Sequence, residues 1–283
     1  MSVQLQNTKR RIRSIKATEK ITSAMEMVAV TKLKVWEYRL HQNEKYRTIL
    51  AKVSKDLLSG VKREDSLYFR SPEGASKTFH VVFASDMGLC GAYNNTVLSF
   101  ADEAIKSGDT VLTIGKRAYR HFAQRNDLML IDEFVDIGGA IKFLHVLPLE
   151  RRIESAFRSG EYQAIKLHFT RYINSMTTRP NTEVLLPIGG AIPFENEKLE
   201  PIGPIIEPDK KGFIDEFIPL YLQNVLYFTL MSAEVAEQSM RRMAMKQATD
   251  NANDLLDELQ IRYNMARQAA ITQEISELVS GSL

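Results

Sequence analysis

Apolar residues recur at helical spacing at both ends of the chain and at strand spacing in the middle. Near the start, Ile12 and Ile15 precede Ile21, Met25, Val28 and Val35 at steps of four, three and seven. Near the end, Met245, Ala248 and Ala252 precede Leu256, Leu259, Tyr263, Ala266 and Ala270, which alternate three and four. A seven-residue repeat predicts helices that wind around one another as a left-handed coiled coil. The first Gly is Gly60 and the first Pro is Pro72, and no Gly or Pro falls between Pro219 and Gly281. Each end is therefore predicted to be one long helix. At 1.5 Å per residue, about 60 helical residues span roughly 90 Å. A compact fold of this size has a radius of gyration of about 19 Å. Helices of that length must project from the globule and bury their stripes on each other.

One helix leads into the middle of the chain and the other leads out, so the pair is expected to be antiparallel. Equal distances from the middle set residue 25 opposite about residue 247, and residue 1 opposite about 271. The tip from Ile271 to Leu283 then overhangs. Its stripe Ile271, Ile275, Leu278 and Val279 has no partner in this chain, so something apolar from outside should cover it.

The middle alternates strand and helix patterns. Strands are predicted at Thr78–Ala84, Asp109–Ile114, Leu128–Val135, Glu161–Arg171 and Thr182–Leu186. Helices are predicted at Asn94–Lys106, Gly115–Arg125 and Leu149–Ser159, with a proline-rich connection over residues 189–212. Such alternation implies a largely parallel, Rossmann-like α/β sheet with right-handed crossovers. The organisation expected is a coiled-coil helix over residues 1–59, an α/β domain with its connecting loop over 60–212, and a second coiled-coil helix over 213–283.

The chain has 283 residues and a net charge of only +2, which argues against a surface devoted to nucleic acid. That balance hides a split. Residues 1–60 carry 13 Lys/Arg against 5 Asp/Glu, and residues 213–283 carry 5 against 10. In the antiparallel register Lys16 and Lys20 fall near Asp254 and Asp257, so opposite charges would set the pairing. Cys90 is the only cysteine, which rules out an internal disulfide and a Cys-only zinc site. No apolar run reaches the ~18 residues of a membrane span, and the start lacks a secretory signal. An intracellular protein, or one held on a membrane by a partner, is expected.

Catalytic signatures are weak. Ser85-Asp-Met-Gly-Leu-Cys-Gly91 follows a strand and precedes a helix, where phosphate often binds. It is neither a dinucleotide fingerprint nor a P-loop, and a structural tight turn is the better reading. The five histidines show no metal-ligand spacing. No cofactor is expected.

Two longer motifs resemble the γ subunit of F-type ATP synthases. They are Arg242-Met-Ala-Met-Lys-Gln-Ala-Thr-Asp-Asn-Ala252 and Tyr263-Asn-Met-Ala-Arg-Gln-Ala-Ala-Ile-Thr-Gln-Glu274. Lys9-Arg-Arg-Ile12, Lys20-Ile-Thr-Ser-Ala-Met-Glu-Met-Val-Ala29, Ser85 to Asn94, Phe169 to Met176 and Glu207-Pro-Asp209 match as well. The resemblance implies a rotor shaft inside an α3β3 ring, seated with ε on the membrane c-ring. It implies no catalysis by the chain itself, no direct nucleic acid, and membrane association only through partners at the cytoplasmic face of a bacterial membrane. It further implies that Arg267 and Gln268 contact the β subunits, and that Met25, Thr272 and Glu274 influence coupling. Glu207 and Asp209 would face the c-ring or ε, and Ile271, Ile275, Leu278 and Val279 would form a bearing. With Cys90 alone, the inserted cysteine pair of the plastid forms is missing. Two other classes stand beside this one: a nucleic-acid-binding coiled coil using Lys9 to Lys20, and a nucleotide-binding enzyme using loop 86–91.

Overall fold

A computed structural model of the chain describes residues 3–58, 66–135, 141–188 and 210–281. The ends form α1 (Val3–Leu58) and α5 (Lys210–Gly281), and α5 starts upstream of the breaker-free stretch so that it includes Gly212 and Pro219. Between them lie β1 (Lys77–Phe83), α2 (Tyr93–Asp102), β2 (Thr110–Ile114), α3 (Lys116–Phe122), β3 (Met129–Ile131), α4 (Phe143–Arg158), β4 (Tyr162–Asn174) and β5 (Thr177–Leu186). Every strand and helix anticipated in the middle is present. The main difference is α4, which starts six residues before the expected Leu149 and contains Pro148.

Two compact units are resolved, residues 32–240 and residues 1–31 with 241–283. Helix α1 ends at Leu58 and α5 begins at Lys210, and packing divides both long helices internally.

In the larger unit the sheet order is β3-β2-β1-β4-β5. β1 pairs in parallel with β2 and β4, β2 pairs in parallel with β3, and β5 returns antiparallel on β4. Alternate residues of β1 feed two cores, as strand geometry requires. Phe79, Val81 and Phe83 pack with Leu33 and Trp36 of α1, Leu149 and Ile153 of α4, and Ile218 and Leu222 of α5. Val82 and Ala84 pack on the other face with Val97 and Leu98 of α2 and Ala118 and Phe122 of α3. Burying both faces is what the continuous apolar run in β1 demands.

Polar contacts tie the helical segments of this unit to one another and to β4 and β5. Tyr93 Oη donates to the Ala233 carbonyl (3.1 Å), and Ser239 Oγ donates to the Ser175 carbonyl (3.0 Å). Tyr172 Oη donates to Glu37, and Arg47 pairs with Glu183 at 3.4 Å while its guanidinium covers the Phe228 ring at 4.3 Å.

Candidate functional site

The smaller unit consists of a single helical seam. Thr249 Oγ1 donates to Thr22 Oγ1 at 2.8 Å, and the Thr22 hydroxyl donates to the Glu19 carbonyl at 3.0 Å. Only an antiparallel arrangement is compatible with this contact and with the residues in the unit. A parallel pair in the same register would set residue 1 opposite residue 228, which belongs to the other unit. In the antiparallel register Thr31 falls opposite residue 240, next to the unit boundary. The contact lies within one residue of the register read from the sequence.

The seam on α1 differs from the expected stripe. Leu5, Thr22 and Ala29 are buried, while Ile12, Ile15, Glu19, Met25 and Glu26 are half-buried. These positions continue Ile12 and Ile15 by strict sevens through Glu19 and Thr22 to Glu26 and Ala29. Ile21, Val28 and Val35, expected in the seam, are 61%, 57% and 46% exposed. They form a second seven-residue row on the outside of the helix. At Thr22 the facing residue is the equally small Thr249. On α5 the expected stripe is the buried one. Met245, Ala252 and Leu259 are buried, and Ala248, Leu256, Tyr263, Ala266 and Ala270 are half-buried.

The seam leaves much apolar surface uncovered. Ile21, Met27 and Val28 on α1, and Met243, Leu255, Ile261 and Met265 on α5, are exposed within the unit. At the tip Ile271, Ile275 and Leu278 are exposed as well, Leu278 to 73%. Arg267, Gln268 and Thr272 are exposed on the same helix, with Thr272 Oγ1 donating back to the Gln268 carbonyl at 3.0 Å. The side chains of Glu274 and Val279, and residues Glu207 and Asp209, lie outside the described residues.

Lys16, Lys20, Asp254 and Asp257 are all exposed, and among the described residues no ion pair joins the two lysines to the two aspartates. The observed register sets Lys16 opposite residue 255 and Lys20 opposite residue 251. The charges therefore share a region of the seam without touching. Arg262 instead pairs with Glu258 one turn away on its own helix.

Loop 85–91 is held from within. The Ser85 N–H donates to Asn94 Oδ1 at 3.0 Å, and Asn94 Nδ2 donates to Ser85 Oγ at 2.8 Å and to the buried Cys90 Sγ at 3.1 Å. Leu89 and Gly91 adopt positive φ values of 63° and 60°. This is the tight turn read from the sequence.

Sequence reasoning missed a buried polar chain across the sheet. Asp109 Oδ2 lies 3.2 Å from His80 Nε2, His80 Nδ1 lies 2.8 Å from His168 Nε2, and His168 Nδ1 lies 2.8 Å from Thr182 Oγ1. Both rings are fully buried. Burial lowers the pKa of each imidazole. Asp109 opposes this at His80, whereas at His168 the charges of His80 and Lys166 add to it and bring the value to about 3. Alternation on β1 places His80 on the α2–α3 face beside Val82, and that was the available signal. Among the described residues no cluster of His, Cys, Asp and Glu is arranged to hold a metal ion.

A two-helix antiparallel seam with apolar side chains outside it is joined by chain to a three-layer α/β unit, and this pairing defines the class of fold. A sequence model of the ATP synthase family matches residues 4–283. The ATP synthase gamma chain of Mycoplasma mobile is 34% identical over 287 residues, covering 99% of this chain and 98% of that one. The gamma chain of Clostridium botulinum is 34% identical over 278 residues, covering 97% and 95%. Among solved structures, the rotor of the Euglena gracilis mitochondrial ATP synthase aligns with a TM-score of 0.66 at 16% identity, covering 95% of this chain and 99% of that one. The Tetrahymena thermophila mitochondrial central stalk and c-ring structure aligns at 0.61 and 19% identity, covering 81% and 99%. The fold is thus that of ATP synthase central stalks. The chain belongs to the ATP synthase gamma chain family. That membership supports neither a nucleic-acid-binding coiled coil nor a nucleotide-binding enzyme built on loop 86–91.

Proposed function

We propose that this chain is the central rotating shaft of an F-type ATP synthase, turning inside an α3β3 ring and seated on the c-ring with ε. One observation carries the reading: the exposed apolar residues outside the seam. Ile21, Val28, Ile261, Met265, Ile271, Ile275 and Leu278 lie on a helix pair that has only one seam in which to bury side chains. Patches of this kind mark surfaces that other proteins cover. A surrounding ring covers a shaft on every side, whereas a single partner covers one face.

A shaft that presents different side chains in different directions gives each β subunit a different neighbour. Such asymmetry biases the catalytic sites in turn through differential contact free energy, with no chemistry performed by the shaft. Arg267 and Gln268 make the directional contacts to β, and Met25, Thr272 and Glu274 tune them. Ile271, Ile275, Leu278 and Val279 run in an apolar bearing. Glu207 and Asp209 face ε or the c-ring, and Lys16 and Lys20 attract Asp254 and Asp257 across the seam. In this reading the domains are the two coiled-coil segments 1–59 and 213–283 and the α/β domain 60–212. The protein is peripheral, at the cytoplasmic face of a bacterial membrane. No helix among the described residues is long and apolar enough to cross one.

Native mass measurement of the complex co-purified with the tagged chain tests this proposal. One copy of the chain with three α and three β subunits is the expected composition. Recovery without α and β, or with one of each, would refute it.

A further inference from the structure

On the α2–α3 face of the larger unit, loop 88–91, the start of α2 and one side of α3 line an open cavity of about 340 Å³, in which Arg117 and Arg120 are exposed. Its charged lining is one-sided. Arg117 and Arg120 supply the charge, His121 lies beside them, and no carboxylate faces it. Among the described residues neither arginine has an ion-pair partner, because the nearby carboxylates are engaged elsewhere. Asp102 holds His121 and Arg125, and Asp127 holds Arg125 at 2.8 Å. Asp86 Oδ1 accepts from the Lys116 N–H at 3.1 Å.

Gly88 makes room for one of these cations. A Cβ at position 88 would stand 2.6 Å from Arg117 Nη2, so only glycine lets the guanidinium lie against the loop. Asn95 and Gln124 add amide groups to the lining, which holds no Phe, Tyr or Trp. Planar guanidinium forks without counter-charge recognise oxyanions bidentately.

We propose that this cavity binds a compact oxyanion of the phosphate class, diphosphate better than monophosphate, through Arg117 and Arg120. The site is independent of the shaft reading, because it uses none of the seam or tip residues.

The test is calorimetric titration of the full-length chain with phosphate, diphosphate and ADP at constant ionic strength. Saturable diphosphate binding is expected, weakened about tenfold or more by each of Arg117→Gln and Arg120→Gln. Arg117→Lys and Arg120→Lys, which keep the charge and lose the fork, should bind with intermediate affinity. Gly88→Ala should weaken binding while leaving the melting temperature unchanged, since it displaces only the flexible end of Arg117. ADP binding as tightly as diphosphate would show that the phosphates are the recognised group in both sources. Absence of saturable diphosphate binding, affinity unchanged in the double glutamine variant, or binding of ADP but not diphosphate would overturn the proposal.

Discussion

Thr249 on α5 donates a 2.8 Å hydrogen bond to Thr22 on α1, and this pair fixes the register of the helical seam. Two Cys residues form a disulfide only when their Cα atoms lie within about 7 Å. Thr22→Cys with Thr249→Cys, in a Cys90→Ser background, should therefore cross-link rapidly on mild oxidation. Thr22→Cys with Leu256→Cys, displaced by seven residues, should not. Electrophoresis without reductant reads both outcomes, and cross-linking of the displaced pair alone would show that the register is wrong.

The long helices and the α/β alternation were legible because their signals are local: missing breakers, and apolar runs of strand length bounded by glycine. The seam on α1 was harder to read. Ile21, Val28 and Val35 follow a seven-residue repeat and are strongly apolar, so they outweigh the weaker row of Glu19, Thr22, Glu26 and Ala29. A close-packed antiparallel pair selects small residues at the contact, and hydrophobicity alone does not reveal that. Trp36, with no role apparent from sequence, is buried in the larger unit with Arg39 stacked 4.8 Å from its ring. The His80–His168 contact joins residues 88 positions apart, and only the pairing of β1 with β4 brings them together.

The two buried histidines predict acid sensitivity. Their folded-state pKa values lie below the ordinary value of 6.5, that of His168 at about 3. Between those limits the unfolded chain binds protons that the folded chain does not, so stability falls as pH falls below 6.5. For His168 the slope approaches about 1.4 kcal/mol per pH unit, and His80 acts in the same direction. Denaturant unfolding at pH 7, 6, 5 and 4 should show this decline, and His168→Gln should flatten it. Stability constant down to pH 4 would contradict the buried chain.

Gly115, between β2 and α3, predicts a damaging added methyl. Its φ is 92°, and a Cβ there would lie 2.0 Å from the Ala84 carbonyl oxygen, which is backbone and cannot yield. Gly115→Ala should cost about 3 kcal/mol or more. Gly108→Ala, also at positive φ but with open space around the added Cβ, should cost about 1–2 kcal/mol. Equal losses in thermal unfolding would mean that the Ala84 approach is not limiting.

At the far end of α5, directional and diffuse contacts should separate in the reconstituted complex. Deleting residues 276–283 removes apolar bearing surface and should leave assembly and much ATP turnover intact, with looser coupling to proton movement. Replacing Arg267 and Gln268 by Leu removes charge-assisted hydrogen bonds to β and should lower turnover more. Steady-state hydrolysis and subunit stoichiometry distinguish the two. A silent double replacement beside a deletion that abolishes turnover would reverse the assigned roles.

Rotation of this chain against a fixed α3β3 ring tests the shaft assignment most directly. Met176 in the β4–β5 turn is exposed, so Met176→Cys in a Cys90→Ser background carries a bead while the ring is immobilised through β. With ATP the bead should turn continuously in one direction, pausing at thirds of a turn, and stop when ATP is removed. A bead that stays fixed to the ring while ATP is hydrolysed at the normal rate would contradict the account.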